Sequence, residues 1–263
     1  MREIIKSFLN TEQKRKVRTA INSVTWIYRK PLGLYRRRGL ESRVPYRPGG
    51  RRWSSAIPFD LIFTIQQGTI DYVYRDVPML KHPIDMALYI SLVWNLKPRT
   101  IIEIGTKYGG SALWFADLMK TYNIDGRVVS VDIAVPNPPY RRAEITLMYG
   151  DANKLGETLS PEFIASLPRP FLVVEDASHH FRATLATLRF FEPHMRKGEY
   201  IVVEDGAVSD MGNDGEREGG PGRAISEFLM ECKGRFEIDA DYCDRYGHNV
   251  TGNTNGYLRC IRD

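Results

Sequence analysis

The sequence predicts a doubly wound α/β fold, and three observations predict it. Beyond Pro58, short apolar runs alternate with segments of helical periodicity, as in a parallel sheet with helical crossovers. A glycine-rich turn, Gly105 to Ser111, joins an apolar strand to a helix. Two near-identical strand ends, Leu172-Val-Val-Glu-Asp176 and Ile201-Val-Val-Glu-Asp205, follow one another at a spacing of 29 residues.

The elements are expected in this order. Residues 4 to 28 carry Val17, Ala20, Ile21, Val24 and Ile27 on one helical face and Lys14, Arg15, Lys16 and Arg18 around the other, a basic amphipathic helix. From Lys30 to Trp53 the chain is too broken by Pro and Gly for regular structure and reads as an arm. A basic appendage over residues 1–57 and a catalytic-type domain over 58–263 are therefore expected. In the domain, a helix over 83–96 ends before Lys97-Pro98, and a strand follows over 100–105 with a helix from about Gly110 to Tyr122. Strands are expected at 127–133, 144–149, 171–176 and 200–205, with helices at 161–167 and 182–195. After a loop from Gly206 to Gly222 come a helix to about Cys232 and two late strands, 235–240 and 256–261, which form an antiparallel edge.

The charge is divided unevenly. Residues 1–53 hold fifteen Lys or Arg and three Glu, a local balance of +12, leaving −7 for the other 210 residues. The basic charge belongs to the appendage, so nucleic acid is not expected as the partner of the body. A solvated basic surface and a peripheral contact with an anionic membrane are the two readings of that appendage. No apolar run is long enough to span a bilayer, and no secretory leader is read at the N-terminus. Cys232, Cys243 and Cys260 show no metal or disulfide spacing, and a reducing cytoplasm is the default setting.

Two sites emerge. In open α/β sheets the ligand lies beyond the carboxyl ends of the strands, where a glycine turn lets the backbone come close. Glycines 105, 109 and 110 do not make the GxGxxG spacing a dinucleotide needs. Glu103 beside the turn favours a cationic ligand over a phosphate, and the sulfonium and α-amino group of S-adenosylmethionine meet that requirement. Glu103, Gly105, Thr106, Tyr108, Gly109, Gly110 and Ser111 are the expected cofactor residues, with Asp132 on the ribose and Asp151 near the adenine. For Asp151 a plain turn role is the stronger reading.

The paired Val-Val-Glu-Asp ends bring several carboxylates to one sheet edge, where mutual repulsion calls for a cation. All-oxygen ligands point to a hard ion such as Mg²⁺, which lowers the pKa of an acceptor hydroxyl. Asp176, Glu204 and Asp205 are the expected ligands, and Glu175 is read as structural. His179 is the expected general base, since imidazole titrates near neutrality, and His180 a supporting partner. The loop from Ser209 to Gly222 reads as a lid, and Tyr140, Arg141, Arg142, Arg217 and Tyr257 as candidates for the acceptor pocket.

The stretches Met79 to Asp85, Ile101 to Ser111, Val173-Val-Glu-Asp-Ala-Ser-His-His180 and Tyr200 to Gly206 resemble the cephalosporin hydroxylase family, which includes rhamnosyl O-methyltransferases. The resemblance covers roughly residues 58–262 and implies a Rossmann-like methyltransferase sheet, S-adenosylmethionine, and an oligomer acting on a sugar or natural-product hydroxyl. The spacing of the three acids is also similar to the metal triplet of catechol O-methyltransferases, with His179 where their base stands and Asp205 where they have an amide. A non-haem iron hydroxylase would need an HxD or HxE element, and this chain has none. The expected activity is thus Mg²⁺-dependent methyl transfer from S-adenosylmethionine to a hydroxyl of a small molecule or glycan. The alternatives are a redox enzyme and a non-catalytic binding subunit.

Overall fold

The computed structural model describes residues 50–212 and 215–263. The expected helix over residues 4–28 and all but the end of the arm lie outside the described residues.

The chain enters through α1 (Phe59–Ile70) and a two-stranded antiparallel ribbon of β1 (Val73–Tyr74) and β2 (Val77–Pro78). Helix α2 (Pro83–Leu96) starts with Pro at its first position and stops at Lys97, whose left-handed φ of 53° precedes Pro98. Strand β3 (Thr100–Ile104) leads into α3 (Gly110–Thr121) and β4 (Arg127–Asp132). Next come β5 (Ile145–Tyr149), a 3₁₀ turn over Ala152–Glu157, α4 (Pro161–Ser166), β6 (Phe171–Glu175) and α5 (Phe181–Phe191). The remainder is β7 (Tyr200–Val203), α6 (Gly220–Glu231), β8 (Phe236–Ile238), α7 (Ala240–Cys243) and β9 (Tyr257–Cys260). The late strand expected over 235–240 is shortened, because Asp239 caps α7 by accepting from the Asp241 N–H.

Seven strands form one sheet in the order β5-β4-β3-β6-β7-β9-β8. Strands β3 to β7 are parallel, and β9 and β8 pair antiparallel at one edge, as expected. Each strand of the sheet's centre is buried on both sides. Ile102, Val129, Val173 and Ile201 face a core with α5 and α6, whereas Ile101, Val128, Leu172 and Val202 face another with α2 and α3.

The chain lays down β3, β4 and β5 in one direction and then crosses back to place β6 on the other side of β3. That reversal opens a crevice at the carboxyl ends of β3 and β6. Gly105 stands at its lip with φ +107°, and a Cβ there would lie 2.1 Å from the Asp176 carbonyl oxygen. No residue with a side chain fits this position.

The arm's end is built into the body. Arg51 donates to both carboxylate oxygens of Asp244, at 2.7 and 2.6 Å, and Trp53 is buried in the core. Packing onto the body thus begins N-terminal to residue 57. The loop between α7 and β9 receives this segment and is itself polar yet buried, at Asn249, Thr251, Asn253, Thr254 and Asn255. Its anchor is Asp85 on α2, which accepts from the Thr251 hydroxyl, the Gly252 N–H (2.8 Å) and the Tyr257 hydroxyl (3.0 Å).

Candidate active site

The sheet's own hydrogen bonding brings the acids to one level. The Asp176 N–H donates to the Ile104 carbonyl at 2.8 Å and the Glu204 N–H to the Glu175 carbonyl at 2.9 Å, carrying the ladder one residue past each strand. Strand alternation then sorts the side chains by face. Glu175 shares the face of Val173 and lies buried under α5. Glu103 and Glu204 share the face of Val202 and lie buried toward α2.

At the open end, Asp176, His179 and Asp205 each offer a polar atom within 4.8 Å of the others. His179 Nε2 is 3.2 Å from Asp205 Oδ2. Both residues hold the left-handed conformation, with φ of 57° for His179 and 56° for Asp205. A non-glycine residue there costs on the order of 1–3 kcal/mol, strain that clusters at functional sites. Asn253 helps to hold the turn, its side-chain oxygen accepting from the Asp205 N–H at 3.3 Å. His180 is exposed at the N-cap of α5. Between two histidines that sequence alone leaves as neighbours, the structure brings only His179 to the carboxylates.

Of the expected triplet, Asp176 and Asp205 open to the cluster, and Glu204 is buried beside Asp176 on a shared lysine. Glu204 accepts from Lys81 Nζ at 2.6 Å and from the Tyr89 hydroxyl at 2.6 Å, and it stands outside the open cluster. The same ammonium lies 2.7 Å from Asp176 Oδ2 and 3.8 Å from Glu103 Oε1. Alternation puts Glu204 on the face that α2 and its N-terminal approach cover, and Asp176, next to it in register on that same face, stays partly exposed. Burial pushes the carboxyls of Glu103 and Glu204 up, Lys81 opposing it in both, and burial raises Glu175 to about 7 against the pull of His179. Burial would lower Lys81, but Asp176, Glu204 and Glu103 outweigh it and keep the ammonium charged.

Lys81 was not among the residues the sequence singled out for chemistry. Its only local signal is a lysine inside the apolar approach to Pro83.

The glycine turn has the geometry of a close-approach site. Gly109, with φ +85°, caps α3, and its carbonyl accepts from the Tyr140 hydroxyl at 2.7 Å. Burial raises Tyr140 to about 12. Gly110 has no room for a Cβ, which would meet the Pro78 carbonyl oxygen at 2.3 Å. Thr106 and Ser111 are buried, Tyr108 is exposed, and the Thr106 hydroxyl is 2.7 Å from that of Ser130, which donates to Glu103. Glu103 is thus fully buried beneath the turn, and its Oε1 has no hydrogen-bond partner.

Asp132 accepts from the Lys107 N–H and the Ala134 N–H, both at 2.8 Å, and keeps lone pairs free on a partly exposed carboxylate. Asp151 caps the 3₁₀ turn through Asn153, the turn role that was the stronger reading. Ile133 and Tyr149, exposed apolar side chains at the neighbouring strand ends, went unnoticed in the sequence because exposure is not legible there. Of the acceptor candidates, Tyr257 is fully buried on Asp85, and Arg142 pairs with Asp117. Tyr140 packs on the glycine turn, whereas Arg217 stays near His179, its carbonyl accepting from the Phe181 N–H at 3.1 Å.

A family model described as rhamnosyl O-methyltransferase/CmcI matches residues 66–261. The chain belongs to this family. It is accordingly an S-adenosylmethionine-dependent O-methyltransferase, which decides against the redox and non-catalytic alternatives. Among curated proteins, the rhamnosyl O-methyltransferase of Mycobacterium leprae (strain TN) is 29% identical over 189 residues, covering 70% of this chain and 81% of its own. That of Mycobacterium tuberculosis (strain ATCC 25618 / H37Rv) is 26% identical, covering 70% and 76%. An apo structure of CmcI aligns with a TM-score of 0.59 at 26% identity, covering 74% of this chain and 78% of CmcI. A structure of CmcI with Mg and SAM aligns at 0.57 and 26%, covering 73% and 77%.

Proposed function

We propose that this family member transfers the methyl group of S-adenosylmethionine to a hydroxyl of a rhamnose-like sugar or glycosylated natural product, with Mg²⁺ held at Asp176 and Asp205. The observation that carries the reading is the convergence of Asp176, His179 and Asp205 beside the glycine turn. The donor set fits the ion. Two partly exposed carboxylates suit a hard cation that keeps positions for other oxygens, whereas the second histidine an iron oxygenase site needs is not in the cluster. The CmcI structure with Mg and SAM and the names of the mycobacterial relatives support the same reading.

Bound here, S-adenosylmethionine supplies an activated methyl group and Mg²⁺ the positive charge that acidifies an acceptor hydroxyl. The chain's own residues do the rest. Gly109 and Gly110 let the backbone approach the cofactor, Asp132 accepts from its ribose hydroxyls, and Ile133 and Tyr149 offer apolar surface to its adenine. His179 presents Nε2 to the cluster and takes the acceptor's proton there, while Asp205 stabilises the resulting imidazolium. The S–CH₃ bond breaks as the O–CH₃ bond forms, so charge balances with the proton on His179. Glu204 stands behind Asp176 on Lys81 and joins the ion only where that ammonium yields.

Methyl-labelled cofactor offered with rhamnosyl and other deoxysugar glycosides, and with catechols as controls, tests the acceptor class. Label should appear on the sugar. Label confined to the catechols would overturn the sugar assignment.

A further inference from the structure

The turn that carries Asp205 is braced by the loop before β9. Asn253 Oδ1 accepts from the Asp205 N–H at 3.3 Å, and the Gly252 carbonyl accepts from the Ala207 N–H at 2.9 Å. Between those contacts Gly206 lies so close to the loop that a Cβ would meet the Thr254 carbonyl oxygen at 2.6 Å.

One side chain holds that loop in its turn. Arg51 donates through Nε to Asn255 Oδ1 and through its terminal nitrogens to Asp244 and, at 3.1 Å, to Asn249 Oδ1. Asn249 and Asn255 are wholly buried and left-handed, with φ of 50° and 56°, a conformation that asparagine keeps when its surroundings hold it. The same segment reaches past Asp205 on the other side, where the Ser55 N–H donates to Asp210 Oδ2 at 3.0 Å and Ile57 packs with Ala207. Residues 51–57 therefore bracket the Asp205 turn, and they lie outside residues 66–261, which the family model matches. The next residue, Arg52, is different, since its side chain is exposed and its carbonyl accepts from Asn249 and Asn255.

We propose that Arg51 is a positioning residue for methyl transfer: it locks the loop before β9 in the form that presents Asn253 to Asp205, and so sets where that carboxylate stands toward the divalent ion. The inference rests on the metal reading above. A carboxylate on a loosened turn would have to be ordered as the ion binds, and that entropy cost would weaken the affinity. Only a planar guanidinium fork reaches Asp244, Asn249 and Asn255 at once, which a lysine ammonium in its place would not do.

The test compares the full chain with Arg51→Ala, Arg51→Lys, Asn253→Ala, Arg52→Ala and the Arg51→Ala/Asn253→Ala double variant. Calorimetry reads the affinities for Mn²⁺ and for S-adenosylmethionine, and the thermal midpoint is a third readout. Arg51→Ala should weaken Mn²⁺ binding about tenfold, the usual worth of a group behind a metal ligand, and leave S-adenosylmethionine binding unchanged. Arg52→Ala should match the parent in all three. The double variant should lose less than the product of the two single losses, because Arg51 acts through Asn253.

A lower midpoint with parental Mn²⁺ affinity would make Arg51 a structural tie alone and overturn the inference. So would an equal weakening of Mn²⁺ and S-adenosylmethionine binding, or a double variant that loses the full product. If Arg51→Ala does not fold, Arg51→Lys decides: weakened Mn²⁺ binding with parental cofactor affinity supports the inference, and parental Mn²⁺ affinity overturns it. A parent chain that binds no Mn²⁺ overturns the metal reading itself, an outcome distinct from one in which the parent and the Arg51 variants bind alike.

Discussion

His179 and its neighbour His180 differ by one position and by their whole environment. His179 faces Asp205 at 3.2 Å, whereas His180 is exposed at a helix N-cap. His179→Ala should lower the methyl-transfer rate about 10²- to 10⁴-fold, the usual worth of a general base, with S-adenosylmethionine affinity preserved. His180→Ala should stay within a few-fold. Equal losses in the two would contradict the assignment. Asp176→Asn should weaken divalent-ion binding in calorimetry and raise the Mg²⁺ concentration needed for half-maximal transfer, while unchanged Mg²⁺ dependence would count against Asp176 as a ligand. Asp176, His179 and Asp205 were legible in the sequence because acids that end buried strands have one place to go. Lys81 was not, because its partner Asp176 lies 95 residues further along the chain and nothing local announces the contact.

The turn after β3 and the loop before β9 are the elements that give the site its shape. Gly105→Ala would force a Cβ against the Asp176 carbonyl oxygen and impose a φ that alanine avoids. Chemical denaturation should show a loss above about 3 kcal/mol or no soluble protein, and a loss under 1 kcal/mol would mean that the two strands can part there. The loop from Asp244 to Gly256 is a different case. Asn, Thr and Gly are residue types that favour exposed turns, yet from Thr251 to Gly256 they are buried, and Asp85 on α2 satisfies Thr251, Gly252 and Tyr257 at once. Replacing Asp85 with Ala would leave three buried donors unpaired, at about 1–3 kcal/mol each before any relaxation. It should therefore lower the thermal midpoint and, through Asn253 and Asp205, weaken metal binding. The succession of strands along the chain was legible from the apolar runs, and the antiparallel edge of the two late strands was expected. The loop's anchor, Asp85, more than 160 residues away in sequence, was not.

Across the whole molecule, charge separates a basic N-terminal region from an acidic body, and residues 51–57 join the second. Burial alone would raise the Asp244 carboxyl, but hydrogen bonds from Arg51 and the Asn249 N–H bring it below its ordinary 3.8. A depressed folded-state value gives stability that is present above pH about 4 and lost as pH falls through the folded value. Thermal midpoints recorded from pH 7 down to pH 3 should therefore fall, and Asp244→Asn should remove part of that slope; identical slopes would contradict it. The proposed contact of the basic region with anionic membrane is checked by vesicle co-sedimentation. Removing residues 1–49 should abolish binding to anionic vesicles, and unchanged binding would exclude that role. The central claim, metal-dependent methyl transfer at the Asp176, His179 and Asp205 cluster, is tested most directly by following label from S-adenosylmethionine to a rhamnosyl glycoside while a chelator and then Mg²⁺ are added. Transfer should stop with the chelator and return with Mg²⁺; transfer that continues undiminished in the chelator would contradict it.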